Sequence, residues 1–139
     1  PFKKIFLGDA GSMMLGFFTS WILIYHTRPE INNIEPVLAL WCISIPIFDL
    51  LGVIIRRSLR KINPFSPDRR HLHHILLDRG FSSTLTLLIV IFSSIILSII
   101  GGLLFFFLGS DGALIGYIVF FLFYLIITFN ITSKLSIKK

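Results

Sequence analysis

Four apolar stretches dominate the chain, at about residues 12–27, 36–55, 84–108 and 113–130, with polar intervals between them. All four are rich in Leu, Ile and Phe and show no strict apolar/polar alternation. They therefore predict helices rather than the strands of a transmembrane barrel. A hydrocarbon core about 30 Å thick takes roughly 20 helical residues to cross. The second, third and fourth stretches meet that length. The first is short, and gains length if its helix begins near Asp9. Pro46 predicts a kink in the second. No internal repeat or low-complexity linker is present. Asp9 and two glycines interrupt the first apolar run, so it does not read as a cleavable signal peptide.

Composition narrows the class. The 139 residues are 55% hydrophobic and 14% charged, and the mean hydropathy is +0.88. A soluble domain carries about a quarter charged residues. This balance excludes a disordered tail, a coiled coil and an ordinary water-soluble fold, and points to an integral membrane protein. The net charge of +6 would suggest nucleic-acid binding in a soluble protein. Its placement gives a different reading. Along an in-out-in-out-in path, every Lys and Arg except Arg28 falls on one side of the membrane. The positive-inside rule makes that side cytoplasmic. The expected fold is an all-α integral membrane protein of about four transmembrane helices, both ends cytoplasmic, with a basic cytoplasmic loop at 56–83. The partners are membrane lipid and a small-molecule substrate, with no nucleic acid. A single cysteine, Cys42, excludes an intrachain disulfide. The chain starts at Pro1 without an initiator Met, so it is expected to be part of something longer.

Three polar segments carry candidate chemistry. The loop reads NPFSPDRRHLHHILLDRG over residues 63–80. Pro64 and Pro67 stop a continuing helix, and Asp68 suits the cap of one starting near Arg69. On that helix His71 and His74 share a face with Asp78, and His73 points elsewhere. A lipid-facing basic segment explains Arg and Lys but not three histidines. A zinc site is a second reading, although the fixed Cys/His spacings of structural sites are absent. A polyphosphate pocket is the preferred one, because arginine forks and imidazole donors suit several phosphate oxygens at once. At the mouth of the first helix, FLGDAGS places Asp9 between glycines and Ser12 at a capping position. Asp9 is a hard oxygen ligand of the kind that holds Mg²⁺ together with substrate phosphates, though taken alone the segment is better explained by Asp9 and Ser12 merely capping the helix. Asp49 lies inside the second apolar stretch, two turns before Arg56. A carboxylate at that depth is either functional or paired with Arg56 or a neighbouring helix. Trp21, Tyr25 and Trp41 fit interfacial anchoring or core packing, Gly101 and Gly102 fit close helix packing, and Asp111 fits a turn.

The strings FLGDAGSMMLGF, PIFDLLGVIIRR and PFSPDRRHLHHILLDRGF resemble the polyprenyl-phosphate N-acetylhexosamine-1-phosphate transferases (glycosyltransferase family 4), on the bacterial undecaprenyl-phosphate branch that uses GlcNAc. The resemblance covers about residues 2–82. It implies attack of undecaprenyl phosphate on a UDP-sugar, release of UMP and a lipid-linked diphospho-sugar for cell-envelope glycan such as O-antigen. The reaction is implied to need Mg²⁺ and to run on the cytoplasmic face of the bacterial inner membrane. By similarity, Asp9 contacts Mg²⁺, while His71, His73 and His74 help bind the nucleotide-sugar diphosphate. Arg69 and Arg70 neutralise phosphate charge, and Asp49 and Ser12 complete the substrate-binding set. Asp49 matches a recurring aspartate with no evident role. The family has about ten or eleven membrane helices and a D-D-x-x-D motif that this chain lacks. The resemblance therefore implies the C-terminal portion of a transferase, inactive by itself; a homodimer is compatible with it. The competing class is a non-enzymatic metal-binding or cation-transport membrane segment built on the histidines.

Overall fold

A computed structural model of the chain describes residues 8–31, 34–59, 61 and 71–137; the side chains of Asp9 and of residues 132–137 lie outside that description. Among the described residues every regular element is helical. They are α1 (Gly8–His26), α2 (Pro36–Cys42), α3 (Ser44–Leu59), α4 (Leu72–Asp78) and α5 (Ser83–Ile137).

The first expected stretch is α1, which begins at Gly8 rather than residue 12. Ser12 consequently stands inside the helix and is not its cap. His26 closes α1, its Nδ1 donating to the Ile22 carbonyl at 2.8 Å. The second expected stretch is two helices bent by 77°. The break falls at Ile43, three residues before Pro46. Pro46 has no N–H for the Cys42 carbonyl, and its ring crowds that carbonyl, so α2 ends there. The proline itself sits in the first turn of α3, where its missing donor is harmless. α3 then runs on to Leu59 and carries Arg56 and Arg57 as helical, buried residues. These two arginines belong to the packed interior, not to a lipid-facing basic loop.

The third and fourth stretches form α5, which is continuous except at Gly109 (φ 70°, ψ −171°). A straight helix would place Leu104 and Gly116 about 18 Å apart. Instead a methyl group of Leu104 sits where a Gly116 Cβ would stand. The chain therefore folds back at Gly109 into two antiparallel limbs, 83–108 and 110–137. One glycine suffices for the reversal because its positive φ is open to a residue without Cβ. Asp111 lies in the first turn of the second limb rather than in a turn of its own, where a carboxylate complements the helix N-terminus. Residues 83–131 are long and apolar enough to cross a membrane, and the bent α2–α3 pair passes the same test if counted as one span.

Packing centres on Trp41, which is fully buried. Its indole Nε1 donates to the Ala113 carbonyl at 3.1 Å, and its ring meets Tyr117 and Phe120 edge-on. It fills a socket between Gly101 on the first limb and Gly116 on the second; a Cβ on Gly101 would overlap the indole. Gly102 faces open space, so the expected pair of packing glycines is a single one. One α3 turn further along, Phe48 packs on Tyr117, Phe121 and Tyr124. In lipid, burial from water contributes little between helices. Close backbone approach and hydrogen bonds carry the association. α1, by contrast, packs only lightly on α2, and Trp21 is half exposed, stacked on Tyr25.

The socket gives a paired test. Gly101→Val should lower stability in detergent micelles by about 1–3 kcal/mol through overpacking, whereas Gly102→Val should change it by less than about 0.5 kcal/mol. Denaturant unfolding followed by helical circular dichroism measures both; equal effects would contradict the socket.

Candidate functional site

The expected histidine helix exists, but it starts at Leu72 rather than near Arg69, with His71 at its N-cap position. The reason for the shift is a long-range contact. Asp49, on α3, accepts from the Leu72 backbone N–H at 2.8 Å through Oδ1. It accepts from His71 Nδ1 at 2.9 Å through Oδ2. The hydroxyl of Tyr124, on the second limb, donates to Oδ1 at 3.0 Å. The carboxylate satisfies one of the orphan N–H groups at the start of α4 from outside that helix. The other end of α4 closes on Gly80 (φ 90°). Gly80 N–H bonds the Leu77 carbonyl and Phe81 N–H bonds the Leu76 carbonyl, the paired bonds of a Schellman cap. Both ends of this seven-residue helix are thus specified.

Within it, His71 stacks near His73 at 5.9 Å between ring centres, and His73 lies 4.2 Å from His74. The three imidazoles form a continuous file. His73 therefore does not point away from the other two, because His71 is extended backbone rather than helix (ψ 155°). Partial burial, then the neighbouring His74 and His71 rings, lower the His73 pKa, with Asp49 opposing. Asp78 lies exposed in the last turn of α4.

Arg56 and Asp49 lie on one side of α3, but they do not form the pair the spacing allowed. Asp49 turns to His71, Leu72 and Tyr124. Arg56 donates to the Thr128 hydroxyl at 2.7 Å, and Thr128 in turn donates to the Tyr124 and Leu125 carbonyls. Behind α4 lies an apolar cavity of about 390 Å³, between α3, α4 and both limbs, lined among others by Phe48, Leu76, Ile96, Phe120 and Tyr124, with Arg79 contributing the cation.

The structure brings together Asp49, His71, His73 and His74. Tyr124 joins them and had no sequence signal: it is one aromatic among many in an apolar run. Asp9 and Ser12 lie in α1, and among the described residues no extended packing joins α1 to α4. Arg69 and Arg70, like the capping candidate Asp68, lie outside the described residues. Among the described residues no three His, Cys, Asp or Glu side chains converge as metal ligands, which gives the metal-binding alternative no support.

No family model matches the chain, and no solved structure matches it. Curated relatives do. The chain is 36% identical over all 139 residues to the undecaprenyl-phosphate alpha-N-acetylglucosaminyl 1-phosphate transferase of Haemophilus influenzae (strain ATCC 51907 / DSM 11121 / KW20 / Rd), covering 39% of that protein. It is 46% identical over 80 residues, 58% of the chain, to the proteins of the same name from Yersinia pestis and Escherichia coli (strain K12), covering 22% of each. The chain is homologous to transferases of that name and spans well under half the length of these relatives.

The imidazole file predicts an acid-sensitive loop. With the His73 pKa held below its ordinary 6.5, the unfolded chain binds more protons than the folded one below about pH 6.5. Stability contributed by this group is therefore lost as pH falls from about 6.5 through the lowered value. Protection of the amides of residues 72–78, the exchange rate corrected for the intrinsic pH dependence, should fall between pH 7 and pH 5, and His73→Gln should flatten that response.

Proposed function

We propose that the chain is part of a glycosyl-1-phosphate transferase that moves GlcNAc-1-phosphate from a UDP-sugar to undecaprenyl phosphate, giving a lipid-linked diphospho-sugar and UMP. The observation that carries this reading is the 36% identity over the whole chain to a transferase named for that lipid and sugar. The ordered imidazole file agrees with it, since phosphoryl transfer is mainly positioning and charge neutralisation.

In this reading the chain crosses the bacterial inner membrane four times. α1, the bent α2–α3 pair and the two limbs of α5 are the spans, and both chain ends and the segment 56–83 are cytoplasmic. His73 and His74 donate to diphosphate oxygens at the membrane surface, His71 meets the substrate through Nε2, and Arg69 and Arg70 add charge to the same loop. Asp9 and Ser12 approach the diphosphate from the start of α1. One aspartate carboxylate with substrate phosphate oxygens is a donor set that suits Mg²⁺. Asp9 would hold the ion, which would neutralise charge on the diphosphate. The product serves cell-envelope glycan synthesis, with O-antigen and lipopolysaccharide as the leading destinations, and a homodimer is the assembly to test first.

A chimera tests the reading. The H. influenzae relative, with its homologous segment replaced by this chain, should exchange UMP with UDP-GlcNAc in membranes, dependent on Mg²⁺ and undecaprenyl phosphate. Losing a hydrogen bond to a charged oxygen costs about 1.5–3 kcal/mol, so His74→Ala should slow exchange roughly 10- to 100-fold. A correctly inserted chimera without exchange, or one indifferent to His74→Ala, would count against the function or the site respectively.

A further inference from the structure

We infer that Asp49 and Tyr124 are positioning residues that lock His71 as its Nδ1–H tautomer, leaving Nε2 as an outward-facing hydrogen-bond acceptor. An ionised carboxylate only accepts hydrogen bonds. All three groups on Asp49 must then be donors, and for His71 this places the proton on Nδ1. The tautomer of a neutral imidazole follows from the bond its other nitrogen makes. Nε2 has no partner among the described residues, and the His71 side chain is about a third exposed (36%) against 17% for Asp49. The lone pair is thus presented at a surface while the opposite nitrogen is anchored inside.

Tyr124 sets the carboxylate. Its hydroxyl and the Leu72 N–H share Oδ1, which leaves Oδ2 to the imidazole. With Phe48 packed on the Tyr124 ring, neither partner turns freely. Among the described residues, the titratable and charged groups around His71 are Asp49 on α3, Tyr124 on α5, and His73 and His74 on α4, with Arg56 reaching the second limb beside Tyr124 at Thr128. The consequence for turnover rests on the transferase reading: an Nε2 acceptor aimed at the loop orients a P–OH or sugar hydroxyl of the substrate. The tautomer itself does not depend on that reading.

The chain labelled with ¹⁵N-histidine, in micelles at pH 7.5, should give long-range ¹H–¹⁵N cross-peaks of the Nδ1–H type for His71, assigned by His71→Gln. Asp49→Asn and Tyr124→Phe should move that resonance toward the Nε2–H pattern, the second less completely. Tyr117→Phe, which removes a buried hydroxyl with no hydrogen-bond partner among the described residues, should leave it in place. An Nε2–H pattern in the unaltered chain overturns the lock, as does a resonance unmoved by Asp49→Asn. If Asp49→Asn fails to fold, the shape-conserving Tyr124→Phe decides. In the chimera, Asp49→Asn should lower kcat by about 10²-fold, the scale of a small misplacement of a reacting group, with KM for UDP-GlcNAc little changed, and Asp49→Glu should recover part of it. An active chimera with kcat unchanged by Asp49→Asn overturns the positioning role. An inactive chimera rejects the transferase reading and leaves the tautomer to the spectra.

Discussion

The Asp49 carboxylate is the constraint around which the rest is arranged. A charged acceptor among apolar helices is expensive unless donors surround it. This one collects donors from the start of α4, from the His71 ring and from Tyr124 on the second limb. Removing any of the three would leave an acceptor short in a place with little water to replace it. The three elements are therefore tied through one side chain, and the loop's imidazoles inherit their positions from the helical hairpin rather than from their own short helix.

The bend at Ile43 makes that reach feasible. It lets α2 seat Trp41 between the limbs while α3 leaves at 77° and carries Asp49 toward the loop. Trp41 and Phe48 then form one aromatic seam with Tyr117, Phe120, Phe121 and Tyr124. Arg56, the next polar residue along α3, is buried on Thr128. Its position two turns from Asp49 means that the cation and the anion of this helix each find partners on the second limb instead of each other.

Helix content, the apolar stretches and the candidate His loop were legible because they rest on local signals: length, hydropathy and proline. The exact breaks were less so. Pro46 announced a disruption but not that it would fall at Ile43, and the interval 109–112 shrank to Gly109 because Ser110 and Asp111 make an adequate helix start. The start of α4 was misjudged because the acceptor of the Leu72 N–H, Asp49, is a neighbour only in space. Asp49 and its chemistry stood out as a carboxylate in an apolar run. Tyr124 did not, since a single tyrosine among phenylalanines carries no periodic or charge signal, and only the fold-back at Gly109 brings it to α3. The relative that is 36% identical over all 139 residues is named as a transferase, and the proposed function is what would give such a tether its chemistry.

The Trp41 socket has a consequence for assembly order. Its two walls, Gly101 and Gly116, belong to the hairpin and face each other only after the chain reverses at Gly109. Closing that hairpin joins residues near in sequence and costs little loop entropy, whereas docking Trp41 must span the whole loop segment. The hairpin, synthesised after α2–α3, thus completes first and becomes the template onto which the earlier α2–α3 unit settles. Until then the indole and the Asp49 carboxylate wait without their final partners.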